Sequence, residues 1–220
     1  SVIRKSQHDV HQLEALFFGQ AGLLDIEAQD IYSSELKSTY KFLKHKFSLL
    51  RDGVLPVQFF RLRPPNFPTI RLAQLAGLYS RIPKLFSSII EAQSLNELYT
   101  IFEGATSAFW NTHYTFEKTS KSSSKTLTKA FMNLIIINTI IPIKFAFNLF
   151  NRHSNQDDVV AIIQNIPMEH NSIVDKFHSL YAFGKTALES QALIQLKQNY
   201  CSKNKCLQCA IGSALLNRNS

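Results

Sequence analysis

"FMNLIIINTIIPIKFAFNLF", Phe131 to Phe150, holds one formal charge in twenty residues, and its reading decides the fold. Length and apolarity suit a membrane span, which needs about 20 residues to cross the hydrocarbon layer. Asn133, Asn138, Asn148 and Pro142 interrupt the run, and Lys144 at mid-bilayer would cost about 2.5–3.5 kcal/mol. The segment is therefore expected as a core helix, kinked at Pro142, at the centre of a fold that does not involve a membrane. Asn133 and Asn138 are expected buried, each with a hydrogen-bond partner, because an unpaired buried amide costs about 1–3 kcal/mol.

Working outward, the 220 residues are 45% hydrophobic and 18% charged, in the range of a globular chain with a sizeable core. Only seven glycines and seven prolines argue against a β-rich fold with many tight turns. His8 to Leu24 places Leu13, Leu16, Phe17 and Leu24 near helical spacing, and Gly19 and Gly22 suit a close helix approach. Tyr32, Leu36, Tyr40, Leu43 and Phe47 form one helical stripe, with Ser33 or Ser34 as its cap and Asp52-Gly53 after it. Pro64, Pro65 and Pro68 bar helix until about Pro68, after which Ile70, Leu72, Leu75, Ala76 and Tyr79 point inward. Pro83, Ser94 and Thr106 mark further short helix starts, and the Ser/Lys-rich Thr119 to Thr128 reads as an exposed loop. Thr186 and Glu189 form a capping-box pattern opening another helix. The expectation is an all-α, single multi-helix domain over 1–220, with a central apolar helix and a cysteine knuckle in the 197–220 subregion.

The net charge of +8 is uneven. Lys44 to Lys84 carries +7, Lys197 to Ser220, with Arg218, carries +4, and the remainder sums to −3. Basic blocks of this kind suit a polyanion, most often nucleic acid. Arg61, Arg63 and Arg71 alternate with Phe59, Phe60 and Phe67, a pattern suited to phosphate contact and base stacking. Equally, the phenylalanines could be core and the arginines paired with scattered carboxylates. Lys121, Lys125 and Lys129, in and after the Ser/Lys loop, complete the candidate nucleic-acid contacts.

Enzyme signatures are incomplete. "FGKT", ending at Thr186, lacks the first glycine and the preceding strand of a phosphate loop, and reads as a turn and helix cap. His170 and His178 lack zincin spacing, and Ser190 lacks the glycine-flanked turn of a hydrolase nucleophile. Cys201, Cys206 and Cys209, at C-x4-C-x2-C spacing, resemble part of an iron–sulfur or zinc site, with His113 or a carboxylate such as Glu117 as the fourth ligand. The bland alternative is that they are small buried hydrophobes. A reducing cytoplasm suits them better than a disulfide framework. The opening Ser1-Val2-Ile3, without methionine or signal segment, is that expected of a fragment.

Six ordered blocks, "EALFFGQAGLL", "FFRLRPPNFPTIRLAQLA", "FWNTHYTF", "LIIINTIIPI", "IPMEHNSI" and "ESQALIQLKQNYCSKNKCLQCAIG", resemble an uncharacterised bacterial family catalogued as domain of unknown function 2851. The likeness runs from about His11 to Leu216, with Phe177 in place of the family's usual tryptophan and Glu189 in place of its aspartate. It implies that this chain is the C-terminal half of a longer protein whose N-terminal half looks nuclease-like. Catalysis would then lie outside this chain, leaving a helical accessory domain that binds nucleic acid, with a structural metal as support. The alternative is a structural or protein-interaction domain.

Overall fold

Several helix starts in this chain are set by side chains that accept the first free N–H groups. Asp9 accepts from His11 N and Gln12 N to open α2 (Val10–Gln20), after the short α1 (Val2–Ser6). Asp30 caps α3 (Ile31–Phe47), and Ser33 returns a reciprocal bond as the third residue of the box. The cap expected at Ser33 or Ser34 thus falls on Asp30, whose extended backbone (φ −150°) is the geometry a cap requires. Helix α3 stops at Phe47 because Ser48 turns left-handed (φ 49°), before the Asp52-Gly53 signal is reached. Pro68 is the first residue of α4 (Pro68–Arg81), where its missing N–H costs nothing. There follow α5 (Leu85–Glu91), α6 (Leu95–Phe102), α7 (Lys129–Ile135), a π-helical turn (Ile136–Ile140) and α8 (Ile141–Phe150). The chain continues with α9 (Asp157–Gln164), α10 (Ser172–Leu180), α11 (Ala187–Asn199) and α12 (Ala210–Asn217).

This computed structural model describes every residue except 1, 7–8, 26, 28–29, 105, 152–155, 183 and 218–220. His8, Phe183 and Arg218 of the sequence readings lie outside the described residues. Among the described residues no strand forms, only the isolated bridges His113–Thr119 and Pro167–Thr186, so the fold is all-α.

The chain divides into two compact units. The first comprises Ser1–Glu91 and Leu98–Met132, the second Ala92–Glu97 and Asn133–Ser220. In the first, α2 packs against α3 and α4. Ala15, Leu16 and Phe18 of α2 form one core with Leu36, Tyr40 and Leu43 of α3, Ile70 and Ala73 of α4, and Trp110 and Phe116. Phe18 stacks on Trp110 (5.3 Å between centroids) and meets the edge of Phe116 (5.6 Å). Gly19 is the close-approach residue, since an added Cβ would lie 2.1 Å from Tyr40 Cγ. Gly22 serves a different purpose from that expected. Its φ of +76° makes the left-handed turn after α2. On α4 the inward stripe is Ile70, Ala73 and Ala76, with Leu75 at the surface.

In the second unit, α9 packs with α8 and α11, and α10 with α11. Val159, Ile162, Ile163, Ile166, Val174, Ala187 and Leu193 are buried. The 131–150 segment departs from the core helix expected of it. Its buried residues are Met132, Ile136, Ile137, Ile140 and Lys144, while Leu134, Ile143, Phe145, Leu149 and Phe150 are exposed. By length and composition Lys129–Phe150 could cross a membrane. Its interruption is a π turn in which Ile141 N–H bonds back to Ile136 O, just ahead of Pro142, which has no N–H and cannot continue an α register. Asn138, expected buried, is exposed and donates to Leu134 O (2.9 Å). Lys144 is 2% exposed and donates to Ala92 O at 2.7 Å, with Asp158 at 3.9 Å. Burial lowers its pKa, and Asp158 and Glu97 pull it partly back.

The Gly19–Tyr40 contact sets helix propensity against packing. Gly19→Ala gains about 1 kcal/mol of intrinsic helix preference and loses about 1–3 kcal/mol or more from overpacking. Urea unfolding should show the variant less stable than the parent, so that packing wins.

Candidate nucleic-acid interface

The segment between α3 and α4 is held extended by its prolines and by one strained turn. Leu62 N–H bonds to Phe59 O (3.2 Å), and Arg61, third residue of that turn, has φ +61°. A non-glycine residue there costs about 1 kcal/mol. The turn lifts Phe60 into solvent, 76% exposed, with the Arg61 guanidinium 5.0 Å above its ring. Arg63, also exposed, leads into the Pro64–Asn66 3₁₀ turn. Phe59 and Phe67 meet edge to face at 5.1 Å, which anchors the segment to the start of α4.

Arg71, one turn into α4, is committed differently. It donates to Gln74 Oε1 (2.8 Å) and Asn66 Oδ1 (2.5 Å), and its guanidinium lies 3.4 Å above the Phe131 ring. Burial lowers its pKa from the usual value, yet an arginine keeps its charge. Gln74 in turn donates to Lys125 O (2.7 Å). Lys125 is only 5% exposed, and its ammonium reaches Ser123 Oγ (2.5 Å), Ser123 O (3.3 Å) and Asn111 O (3.4 Å), above the Tyr114 ring (4.1 Å). Ser120 N–H and Ser123 N–H bond to Thr112 O and Asn111 O. The Ser/Lys stretch is therefore pinned at Lys125, with Lys121 exposed within it and Lys129 exposed beyond it, over Tyr99 (4.8 Å).

Of the six basic residues expected to contact nucleic acid, Arg61, Arg63, Lys121 and Lys129 lie at the surface, and Arg71 and Lys125 act as struts beneath it. Among the described residues none of the four outer groups forms an ion pair. Elsewhere in the Lys44–Lys84 block, Arg51 pairs with Asp25 (2.8 Å) and Arg81 donates to Ile101 O (2.8 Å). The first unit holds sixteen Lys and Arg against ten Asp and Glu, a net of +6, and the second unit +2.

The metal ligands expected from sequence are not gathered into a ligand set. Among the described residues no three of His, Cys, Asp and Glu are grouped to hold a metal ion. His113 belongs to the first unit, stacked on Phe109 (4.0 Å) with Nδ1 near Phe109 O and Thr112 Oγ1. Glu117 is exposed in the same unit. Cys201, Cys206 and Cys209 belong to the second, where they line one apolar recess of about 210 Å³ with Phe177, Leu196 and Leu215. Gly212 makes that recess, because a Cβ there would lie 2.2 Å from Cys206 O. Of "FGKT", the described Gly184 to Thr186 lead into a helix cap. Thr186 and Glu189 bond reciprocally, and Gly184 leaves room for the Glu189 carboxylate. Ser190 is buried and donates to Ala187 O.

One polar cluster was missed. Glu14 is fully buried on α2 and accepts from Tyr32 OH and Trp110 Nε1 (3.1 Å), and Tyr32 OH also meets Ser107 Oγ (2.8 Å). Burial raises the carboxyl above its usual range, and these hydrogen bonds oppose the shift only in part. The same burial, with Glu14 beside it, raises Tyr32. The only sequence signal was a lone acid on the apolar face of α2.

The chain is all-helical, and its first unit carries exposed cations that form no ion pair among the described residues. The chain belongs to the DUF2851 family, described as a protein of unknown function, whose sequence model matches residues 1–172. The Cys201–Cys209 segment lies beyond the matched residues. No curated protein and no solved structure matches this chain.

Because the folded-state pKa of Glu14 is raised, its stabilising contribution is full below the unfolded value of 4.5 and is lost as pH rises through the folded value. Relative to Glu14→Gln, the wild-type protein should therefore gain melting temperature as pH falls from neutral toward 4.5. A difference independent of pH would remove the raised carboxyl.

Proposed function

We propose that this chain is a helical accessory module that binds nucleic acid through its first unit, within a longer protein that carries any catalytic step elsewhere. The strained Phe59–Leu62 turn carries the reading. Strain of about 1 kcal/mol is retained where it projects Phe60 and Arg61 together into solvent, an aromatic face beside a phosphate-binding group. Arg63, Lys121 and Lys129 add cations that no carboxylate neutralises among the described residues. Asn66, Gln74 and the Phe131 ring fix Arg71 without adding negative charge. The resemblance to a family with a nuclease-like partner half supports the same direction, with this chain positioning the strand that the other half acts on.

Association should be salt-dependent, with log Kobs falling by about 0.7 per phosphate contact for a single strand. Reversing Arg61 and Arg63 to glutamate should weaken binding to every sequence alike and flatten the salt slope. Arg61→Asn separates function from folding, because asparagine tolerates the left-handed region. Its stability should equal or exceed the parent's while oligonucleotide affinity falls. Absence of binding at low salt, or affinity indifferent to salt, would overturn the reading.

A further inference from the structure

A groove of about 450 Å³ opens beside the strained turn, lined by Gln20, Gly22, Asp25, Arg51, Leu55 and Phe59 among others. Phe59 is shared, since it lines the groove and is also the first residue of the turn that presents Arg61. Volume and lining match those of a small-ligand cleft, apolar with a few convergent polar groups. Those polar groups are unusual. Arg51 Nη1 bonds Asp25 Oδ2 at 2.8 Å and Gly19 O at 3.3 Å. Among the described residues, Asp25 Oδ1 and the remaining N–H groups of Arg51 form no hydrogen bond. Gly22 brings backbone close to the pair, since a Cβ there would lie 3.3 Å from Arg51 Nη1, and its φ of +76° disfavours any side chain. The groove thus presents an anionic acceptor directly beside a cationic donor, next to an aromatic ring.

We infer that this groove holds one unstacked guanine base of a bound single strand, an inference that rests on the nucleic-acid reading above. Guanine alone among the common bases offers two adjacent N–H donors, N1 and N2, next to the O6 acceptor. The two oxygens of Asp25 take the donors and Arg51 donates to O6, while Phe59 supplies a stacking surface. The other bases offer a single donor beside an acceptor on that edge, or acceptors flanking one donor, and satisfy one carboxylate oxygen at most. The backbone phosphates of the same strand then fall to Arg61 and Arg63. Binding without base preference is thereby turned into preference at a single nucleotide.

Fluorescence anisotropy at low salt, with an oligothymidylate and the same strand carrying one central guanine or adenine, tests this. The guanine strand should bind on the order of tenfold tighter than either other strand. Asp25→Asn should abolish that preference, so that the three strands bind alike. Reversal of Arg61 and Arg63 should weaken all three strands and preserve the ratio. Equal affinities for the three strands in the wild-type protein overturn the base pocket while leaving the nucleic-acid reading in place, and they need no variant that might misfold. If no strand binds, the nucleic-acid reading fails. Calorimetry with guanosine and adenosine monophosphates then judges the groove by itself, selective guanosine binding upholding it and its absence overturning it.

Discussion

The placement of Arg71 is the constraint on which the basic surface depends. A partly buried guanidinium needs partners for its N–H groups, and a carboxylate is the usual one. Here two neutral amides and an aromatic face serve instead, Asn66, Gln74 and Phe131. The consequence is electrostatic. Position is fixed without neutralising the charge, so the field of the surrounding exposed cations is not cancelled from below. The consequence is also mechanical. Asn66 belongs to the turn leading out of the Arg61–Arg63 segment, Gln74 holds the backbone of Lys125, and Phe131 follows Lys129 by two residues. The turn just ahead of α4 and the Lys125–Phe131 stretch, some fifty residues further on, are thus tied to one turn of α4.

Much of this fold was legible because it follows local rules. The stripe Leu36, Tyr40, Leu43 is buried as its spacing requires, Pro68 opens α4, and Thr186 with Glu189 closes its capping box. What escaped depends on partners distant in sequence. Nothing near Lys125 announces that its ammonium would find the carbonyl of Asn111, fourteen residues back, so it reads as one more solvated lysine. Glu14 likewise needs Tyr32 and Trp110, eighteen and ninety-six residues away. For the six basic residues, sequence could not separate Arg61, Arg63, Lys121 and Lys129, which are exposed, from Arg71 and Lys125, which are held by neighbouring groups.

The second unit shows the same limit. The 131–150 run has a core helix's composition, yet several of its large apolar side chains are exposed and a π turn precedes Pro142. Composition carries no information about which turns of a long apolar helix find neighbours. The cysteine spacing was a metal pattern, while the backbone that carries it is governed by Gly212, whose missing Cβ lets the Cys206 carbonyl approach α12. The three cysteines line one apolar recess together with Tyr200 and Leu215.

The division of the basic residues into outer contacts and inner struts is the central claim, and lysine footprinting measures it directly. Acylation of the free protein, read residue by residue by mass spectrometry, should label Lys121 and Lys129 and spare Lys125. Adding a single-stranded oligonucleotide at low salt should protect Lys121 and Lys129, and high salt should restore their labelling. Ready labelling of Lys125 in the free protein, or no protection of Lys121 and Lys129 by the strand, would contradict the account.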